Sequence, residues 1–321
     1  MIIISDLEFA EKIPKSIDHE KIWVVGLSGG ADSLCLTMLA NNLAKQKGIK
    51  LWAVIVDHKL RSESSSEILP IVDILERNGI EHKILVWNHS GDISKNIEKK
   101  ARDARYQLLK NFCKEIGAKV LMTAHHAFDQ WETFFMRLSH GSSMKGLASI
   151  QSLSMLNDIF LIRPFLDFDP INLKNTLLKR FGIKHCIQDP SNQDLKFERA
   201  RWRASYNELS GKYGLSIDSV NKSISRIQIA NDCLNEIVKK IIDDVFDGSY
   251  INIGKFRDLP TELRIRVLDL IIKRFLSKDK IISYELLQRV SNEISQEVFV
   301  GSSLGGVVLK KNRTKNIKIS I

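Results

Sequence analysis

Residues 22–33 read Ile22-Trp23-Val24-Val25-Gly26-Leu27-Ser28-Gly29-Gly30-Ala31-Asp32-Ser33. The first six residues are apolar and contain no charge, which is typical of a buried strand. The glycine pair that follows permits a tight turn, and an apolar-periodic stretch then predicts a helix that ends at Lys47, before Gly48. This order of strand, turn and helix points several backbone N–H groups at one place. It therefore predicts an anion site, with phosphate as the candidate anion.

A glycine pair also fits an ordinary strand-to-helix turn. The segment matches neither the Gly-x-Gly-x-x-Gly dinucleotide pattern nor the Gly-x-x-x-x-Gly-Lys-Ser/Thr phosphate loop. Residues 28–33 instead resemble the Ser-Gly-Gly-x-Asp-Ser loop of the N-type ATP pyrophosphatases, the PP-loop family. The resemblance implies that this loop holds the phosphates of ATP through Ser28, Gly29, Gly30, Ala31, Asp32 and Ser33. It also implies Mg²⁺ as a cofactor, with Asp32 beside the metal.

Composition sets the broad class of this 321-residue chain, which is 44% hydrophobic and 27% charged. These values are typical of a soluble globular protein, and the length favours two domains. No apolar run approaches the roughly 20 residues that span a bilayer, and the first residues lack a signal-peptide pattern. The four cysteines form no C-x-x-C pair, which suits a reducing cytoplasm and disfavours a metal site built from thiolates alone.

Three further apolar runs, at residues 51–56, 82–86 and 118–123, alternate with helical patterns of ten or more residues. This alternation predicts an α/β fold with a parallel sheet and helices on both faces. Ligands bind beyond the carboxyl ends of such strands. The glycine turn, the pair Asp57-His58 and the pair His125-His126 all follow predicted strands. Their convergence on one sheet edge predicts an active site there.

The segment 125–133 reads His-His-Ala-Phe-Asp-Gln-Trp-Glu-Thr. Asp129 and Glu132 are spaced i,i+3, so a helix places both carboxylates on one face. Such a pair can bind Mg²⁺ or an ammonium group, or it can simply complement the helix dipole. The segment resembles the His-His-x-x-Asp-Gln-x-Glu-Thr element of the bacterial tRNA(Ile)-lysidine synthetases, a branch of the PP-loop family. One position departs from that pattern, since Phe128 stands where the family usually has a second acid.

Three other segments strengthen this resemblance, which covers about residues 20–205. They are Val56-Asp57-His58-Lys59-Leu60-Arg61, the run Ala101-Arg102-Asp103-Ala104-Arg105-Tyr106, and residues 189–194 with 197–203. The resemblance implies an adenine nucleotide α-hydrolase-like catalytic domain over residues 1–210. Beyond residue 210, helical patterns at about residues 218–246, 261–276 and 283–294 and apolar runs at 298–300, 304–309 and 317–321 predict a smaller, mainly helical domain over residues 211–321 that ends in short β strands. We expect this domain to bind tRNA. Residues 196–321 contain 23 Lys and Arg against 15 Asp and Glu, a net charge of +8 out of +10 for the chain. That distribution suits an RNA partner.

The implied reaction is ATP-dependent ligation of free L-lysine to the wobble cytidine of the CAU anticodon of tRNA(Ile). It passes through an adenylated cytidine and releases AMP and diphosphate. The resemblance places Asp57 and His58 at ATP, gives Asp129 and Glu132 the lysine ammonium group, and makes His125 a proton acceptor or an adenylate contact. It leaves a homodimer open. Five arginines are the candidates for substrate or developing phosphate charge: Arg102, Arg105, Arg199, Arg201 and Arg203.

Other interpretations stay open from the residues alone. Arg102 and Arg105 also fit a solvated helix face paired with acids. The chain also fits a PP-loop enzyme of another reaction, either tRNA thiolation, which normally needs a cysteine pair, or an amide-forming ligase. A non-catalytic RNA-binding protein with a degenerate nucleotide fold is a third alternative. The intact loop at residues 28–33 argues against that alternative, because a retired site has no need of Asp32 beside two glycines.

Overall fold

The computed structural model describes residues 2–60, 64–89, 97–184, 186–187, 194–276, 282–312 and 316–320. The chain forms two compact units, Met1–Gly141 with Ser149–Ile224, and Ser142–Ala148 with Ser225–Ile321. The domain boundary predicted from the sequence lies earlier in the chain, between residues 210 and 211. Residues 211–224 belong to the first unit because Val220 and Ile224 pack in one cluster with Trp131.

The first unit is built on alternating strands and helices. In chain order its elements, with α6 belonging to the second unit, are α1 (Asp6–Glu11), β1 (Ile22–Leu27), α2 (Ala31–Lys47), β2 (Lys50–Asp57), α3 (Ser64–Arg77), β3 (Glu81–Val86), α4 (Ile97–Glu115), β4 (Val120–Met122), α5 (Ala127–Ser139), α6 (Met144–Leu147), β5 (Leu153–Leu156), β6 (Ile159–Ile162), α7 (Pro170–Phe181) and α8 (Glu198–Tyr213). The predicted α/β architecture is confirmed.

The six strands form one sheet in the order β3-β2-β1-β4-β6-β5. The first five in that order run parallel, and only β5 is antiparallel, beside β6. The parallel strands therefore end at a common edge, as predicted. Strand β5 was not predicted from the sequence, because this short edge strand is only half-buried and shows no alternation of apolar and polar residues.

Alternate residues of β1 enter separate hydrophobic cores, which explains why the strand is apolar throughout. Trp23 and Val25 pack in a core with residues of α2, α3 and α7, whereas Val24 packs with Leu109 and Phe112 of α4. The predicted helices thus lie on both faces of the sheet. Together they fix the position at which β1 delivers the glycine turn.

The second unit combines helices with an antiparallel sheet. Beyond α6, its elements are the remainder of α9 (Ile217–Val245), β7 (Tyr250–Asn252), α10 (Ile253–Arg257), α11 (Thr261–Phe275), α12 (Tyr284–Ser295), β8 (Gly301–Leu304), β9 (Val307–Lys311) and β10 (Asn316–Ser320). The strand order is β7-β10-β9-β8. The three predicted helices and the terminal strands are present, but residues 298–300 are not a strand and β7 was missed. In the parts of the chain that the structure describes, no helix is long and apolar enough to cross a membrane.

Trp131 of α5 is fully buried, and its indole N–H donates to the carbonyl oxygen of Leu215 at 2.8 Å. Around it lie the aromatic rings of Phe135, Trp202 and Tyr206. We expect Trp131→Ala to lower the free energy of unfolding by about 3–5 kcal/mol, because it leaves a large cavity and an unpaired carbonyl. Urea unfolding followed by circular dichroism measures this loss. Tyr213→Ala, at an exposed side chain, is the control, and equal midpoints for the two variants would contradict the prediction.

Candidate active site

The glycine turn is stabilised by hydrogen bonds from its own serines. Ser33 donates its hydroxyl to the carbonyl oxygen of Gly30 at 2.9 Å and accepts the backbone N–H of Ser28 at 3.2 Å. Gly30 caps α2, so the first backbone N–H groups of that helix lack acceptors within the helix. Those donors and the positive end of the helix dipole make a cradle for an anion. The predicted phosphate loop therefore has the geometry that its sequence implied.

Gly29 is required at its position for two reasons. Its φ is +80°, in the left-handed region that favours glycine, and a Cβ there would lie 2.4 Å from Cδ1 of Ile187. The backbone N–H of Ile187 also donates to the carbonyl oxygen of Gly29 at 2.9 Å. The chain beyond α7 thus lies directly against the phosphate loop and leaves no room for a side chain.

His126 joins the acids of two helices. Its Nε2 lies 3.6 Å from Oδ2 of Asp32, in the first turn of α2. At the start of α5, its Nδ1 accepts the backbone N–H of Asp129 at 3.4 Å, and Oδ2 of Asp129 accepts the backbone N–H of His126 at 2.9 Å. His126 was not among the site residues predicted from the sequence. Its place directly before the predicted helix, three residues from an acid, was the signal of a capping box.

The pKa values of the two acids beside His126, Asp32 and Asp129, are shifted in opposite directions. Burial raises the pKa of Asp32, and the nearby charge of Asp129 adds to that rise while His126 opposes it. Burial also acts to raise the pKa of Asp129, but the imidazole of His126, the hydrogen bond from the His126 backbone N–H and the charge of Arg199 oppose it, and the net shift is downward. Oδ1 of Asp32 is buried and has no hydrogen-bond partner among the described residues. It therefore lacks the hydrogen bond that a buried carboxylate oxygen normally makes.

Glu132 lies one turn after Asp129 and has no exposed side-chain surface. Its Oε1 accepts two N–H groups from Arg203 of α8, at 2.7 Å from Nε and 2.6 Å from Nη2. Oε2 is buried and, within the described part of the chain, accepts no hydrogen bond. Burial and Asp129 raise the pKa of Glu132, and Arg203 opposes them. One oxygen of this carboxylate is thus held in place and the other is left for a donor.

His125 faces a cluster of cations. Its Nδ1 lies 3.0 Å from the hydroxyl oxygen of Thr123, and burial lowers its pKa to about 3. Asp129 opposes this lowering, while Arg102, Arg163 and Arg105 add to it. The imidazole is therefore neutral at pH 7 and serves as a hydrogen-bonding group rather than as a charge.

The remaining predicted site residues fall into two groups, those near the acids of α5 and those with other neighbours. Arg105 is near enough to Asp129 and Arg199 to feel their charges, and burial lowers its pKa. Arg102 and Arg105 place their guanidinium groups 5.1 and 5.6 Å from the centre of the Tyr106 ring. Arg199 donates to the hydroxyl oxygen of Thr133 at 3.3 Å. These arginines therefore lie on the same side of the unit as the acids.

Three predicted residues have other neighbours. Arg201 is exposed and donates to the carbonyl oxygens of Leu195 and Lys196, so the structure places it at the start of α8. Asp57 and His58 lie at the carboxyl end of β2, beside the end of β3. The segment 189–193, which contributed to the family resemblance, lies outside the described residues.

Phe128, at the position where the resemblance expects an acid, packs into the aromatic cluster. Its ring centre lies 4.9 Å from that of Tyr206 and 5.7 Å from that of Trp131. The guanidinium of Arg203 lies 5.7 Å from the same ring. Phe128 therefore helps to hold Arg203 against Glu132.

Known proteins are similar to this chain over most of its length. Residues 5–209 match the family model described as the PP-loop domain. The chain is 33% identical to the tRNA(Ile)-lysidine synthase of Wolbachia pipientis wMel, over 95% of this chain and 72% of that protein. It is also 33% identical to the tRNA(Ile)-lysidine synthase of Bradyrhizobium diazoefficiens, over 76% of this chain and 70% of that protein.

A solved structure shares the fold. It is the U34-tRNA thiolase NcsA from Methanococcus maripaludis with its [4Fe-4S] cluster, at a TM-score of 0.59 and 20% identity. The similarity covers 69% of this chain and 76% of that one. At this identity the likeness concerns the fold alone.

The pKa values of Asp32 and Asp129 shift in opposite directions. Replacing each acid by asparagine should therefore change the free energy of unfolding in opposite directions. At neutral pH we expect Asp32→Asn to raise the free energy of unfolding, because it removes a buried charge that the fold disfavours. We expect Asp129→Asn to lower it by about 1 kcal/mol, because the charged cap is lost. Urea unfolding between pH 3 and pH 8 measures both, and each variant is the control for the other.

The two effects should depend on pH with different signs. The gain from Asp32→Asn should shrink as the pH falls through the raised pKa of the folded state and vanish below the ordinary value of 3.8, where Asp32 is protonated in both the folded and the unfolded state. The advantage of the wild type over Asp129→Asn should persist above 3.8 and disappear only at lower pH, as the folded-state carboxylate takes up its proton. Shifts of the same sign in both variants would contradict the assignment.

Proposed function

This chain belongs to the PP-loop family and, within it, to the tRNA(Ile)-lysidine synthases, and we propose that it uses ATP to ligate free L-lysine to the wobble cytidine of the CAU anticodon of tRNA(Ile). The supporting observation is the anion cradle at Gly30 together with Asp32 and Glu132, each of which has a buried carboxylate oxygen without a hydrogen-bond partner among the described residues. In the first step the carbonyl oxygen of the cytidine attacks the α-phosphate of ATP, and diphosphate leaves. In the second step the side-chain amine of lysine displaces AMP from the base carbon.

The phosphates of ATP would be bound by the glycine turn. The hydroxyls of Ser28 and Ser33 and the first N–H groups of α2 are grouped at this point. Asp57 and His58, at the end of the neighbouring strand, would complete the ATP site. These donors come from a rigid strand end and a helix start, so the triphosphate would be held in one orientation.

Asp32 is the residue that would hold Mg²⁺. The described residues contain no group of three or more His, Cys, Asp or Glu side chains arranged for a metal ion. Mg²⁺ commonly takes one or two carboxylates and binds mainly through substrate phosphates and water, so the unpaired Oδ1 of Asp32 fits this requirement. The ion would supply positive charge against the phosphates. His126, next to the same carboxylate, would keep it oriented.

Positive side chains would stabilise the charge that develops during attack on the α-phosphate. Arg105 and Arg199 are near enough to act on one another and on Asp129. Donors fixed in advance at such a place lower the barrier without reorganisation. Neutral His125, with a pKa of about 3, would be a weak base at pH 7 and is better suited to contact the adenylate.

Asp129 and Glu132 would bind the lysine ammonium group. Oε1 of Glu132 is taken by Arg203, so Oε2 is the oxygen that would accept the N–H of lysine. An amine must lose a proton before it attacks, and the raised pKa of Glu132 makes it the better proton acceptor of the two acids. Arg203 then acts by positioning this carboxylate rather than by touching RNA.

RNA would be recognised by the basic residues that remain. Arg201 is exposed on α8, and the excess of Lys and Arg in residues 196–321 gives the remainder of the chain a positive charge. Phosphate contacts of this kind give affinity that falls with added salt. A homodimer and a cytoplasmic location stay predictions from the sequence.

Lysine transfer tests the proposal directly. The protein, ATP, unmodified tRNA(Ile) transcript and labelled lysine should yield labelled RNA, AMP and diphosphate. Asp32→Asn should abolish diphosphate release, since the carboxylate that would hold Mg²⁺ against the phosphates is lost. Glu132→Gln should lower kcat/KM for lysine by about a hundredfold or more, because the proton acceptor is lost. Glu208→Gln, at an exposed acid of α8, is the matched control and should behave as the wild type.

The same assay separates the alternatives. Transfer from a sulfide donor in place of lysine would favour the thiolation alternative, and consumption of ammonia would favour an amide-forming ligase. RNA binding without any release of AMP would favour a non-catalytic protein. Failure of the wild type to label RNA with lysine would overturn the proposal.

A further inference from the structure

A second feature of the sheet edge takes no part in the mechanism above. A cavity of about 310 Å³ lies at the carboxyl ends of β2 and β3 and is lined by Lys59, Trp87, Asn88 and His89. The ring centres of Trp87 and His89 are 4.7 Å apart. Trp87 is half-buried, so part of its ring faces solvent. A large aromatic ring on a cavity wall suits a flat ligand.

The backbone holds this cavity in a defined shape. The N–H of Trp87 donates to the carbonyl oxygen of Asp57 at 2.9 Å, which extends the pairing of β2 and β3 by one residue. Nε2 of His89 lies 3.2 Å from the carbonyl oxygen of His58. The backbone of Trp87 and the ring of His89 are therefore both held against the end of β2. Pre-ordered rings lose little freedom when a ligand binds.

Lys59 provides a cation at the rim. It has a φ of +51°, an uncommon conformation for a residue with a side chain, and its N–H donates to Oδ1 of Asp57 at 3.0 Å. Its Nζ lies 3.2 Å from Oδ2 of Asp57, and the side chain is about half exposed. An aromatic wall beside a lysine combines a stacking surface with a partner for phosphate. That combination is how proteins bind unpaired nucleotides.

The place of the cavity on the sheet argues for RNA. In the order β3-β2-β1, the end of β3 is two strands from the glycine turn, or about 10 Å at the usual strand spacing. His58, which the proposed function puts at ATP, touches the Trp87 ring edge-on with ring centres 5.8 Å apart. A base stacked on Trp87 would therefore lie beside the proposed nucleotide site.

Resting on the proposed function, we propose that Trp87 and His89, with Lys59 at the rim, bind an unpaired base of the RNA substrate next to the cytidine that is modified. Trp87 supplies the stacking surface and His89 supports it. Lys59 contacts the phosphate of the same nucleotide. The site would add specificity for a base that is splayed out of a loop rather than paired in a helix.

RNA affinity of the full-length protein tests this site. The probe is a fluorescent hairpin of the unmodified CAU anticodon arm, and its Kd is measured by anisotropy. Trp87→Leu should raise that Kd about tenfold or more, because the stacking surface is lost. Trp87→Phe should restore most of the affinity, and His89→Ala should weaken binding in the same direction as Trp87→Leu. Trp52→Phe, in the β2 strand against Phe112, is the matched control and should bind as the wild type.

ATP binding without RNA is measured in parallel and should be unchanged in every variant. Equal RNA affinity for Trp87→Leu and Trp52→Phe would overturn the proposal. A loss of ATP affinity in Trp87→Leu without RNA would also overturn it, since the cavity would then hold adenine. If Trp87→Leu fails to fold, Trp87→Phe and His89→Ala decide the question. A failure of the proposed function can be told apart from a failure of this proposal, because the wild-type protein would then transfer no lysine to RNA.

Discussion

The carboxylates of Asp32, Asp129 and Glu132 are partly or wholly shielded from water, and the packing of the helices that carry them depends on how each charge is compensated. Asp129 is stabilised by His126, and Glu132 by Arg203 of α8. Asp32 has His126 at 3.6 Å, which offsets its burial only in part. A buried charge without a partner costs several kcal/mol, so α2, α5 and α8 have to pack together for the fold to tolerate these acids.

The parallel sheet supplies the other half of this arrangement. It brings the ends of β1, β2 and β4 to one edge, and a bridge between His126 and Phe165 continues the pairing past the end of β4. The aromatic cluster around Trp131 then holds α8 against α5. Arg203 is consequently fixed at Glu132 by apolar packing on one side and by two hydrogen bonds on the other.

Contiguous patterns in the sequence predicted most of the fold. Buried strands, the glycine turn and amphipathic helices are all encoded within a few neighbouring residues, and these elements were found. The edge strands β5 and β7 were missed because neither has a distinct apolar pattern. Sequence also placed the acids correctly on α5. It could not show that Arg203 is taken by Glu132, because that contact joins positions 71 residues apart and depends on the packing of α8.

The contact between Ile187 and Gly29 has a consequence for chain length. Gly182 ends α7 in a left-handed conformation, and Ile187 is pinned to the phosphate loop by its backbone N–H. The chain between these two points must therefore cover a set distance. Among natural variants, deletions between residues 182 and 187 should be rarer than changes of length in surface turns that end on solvent.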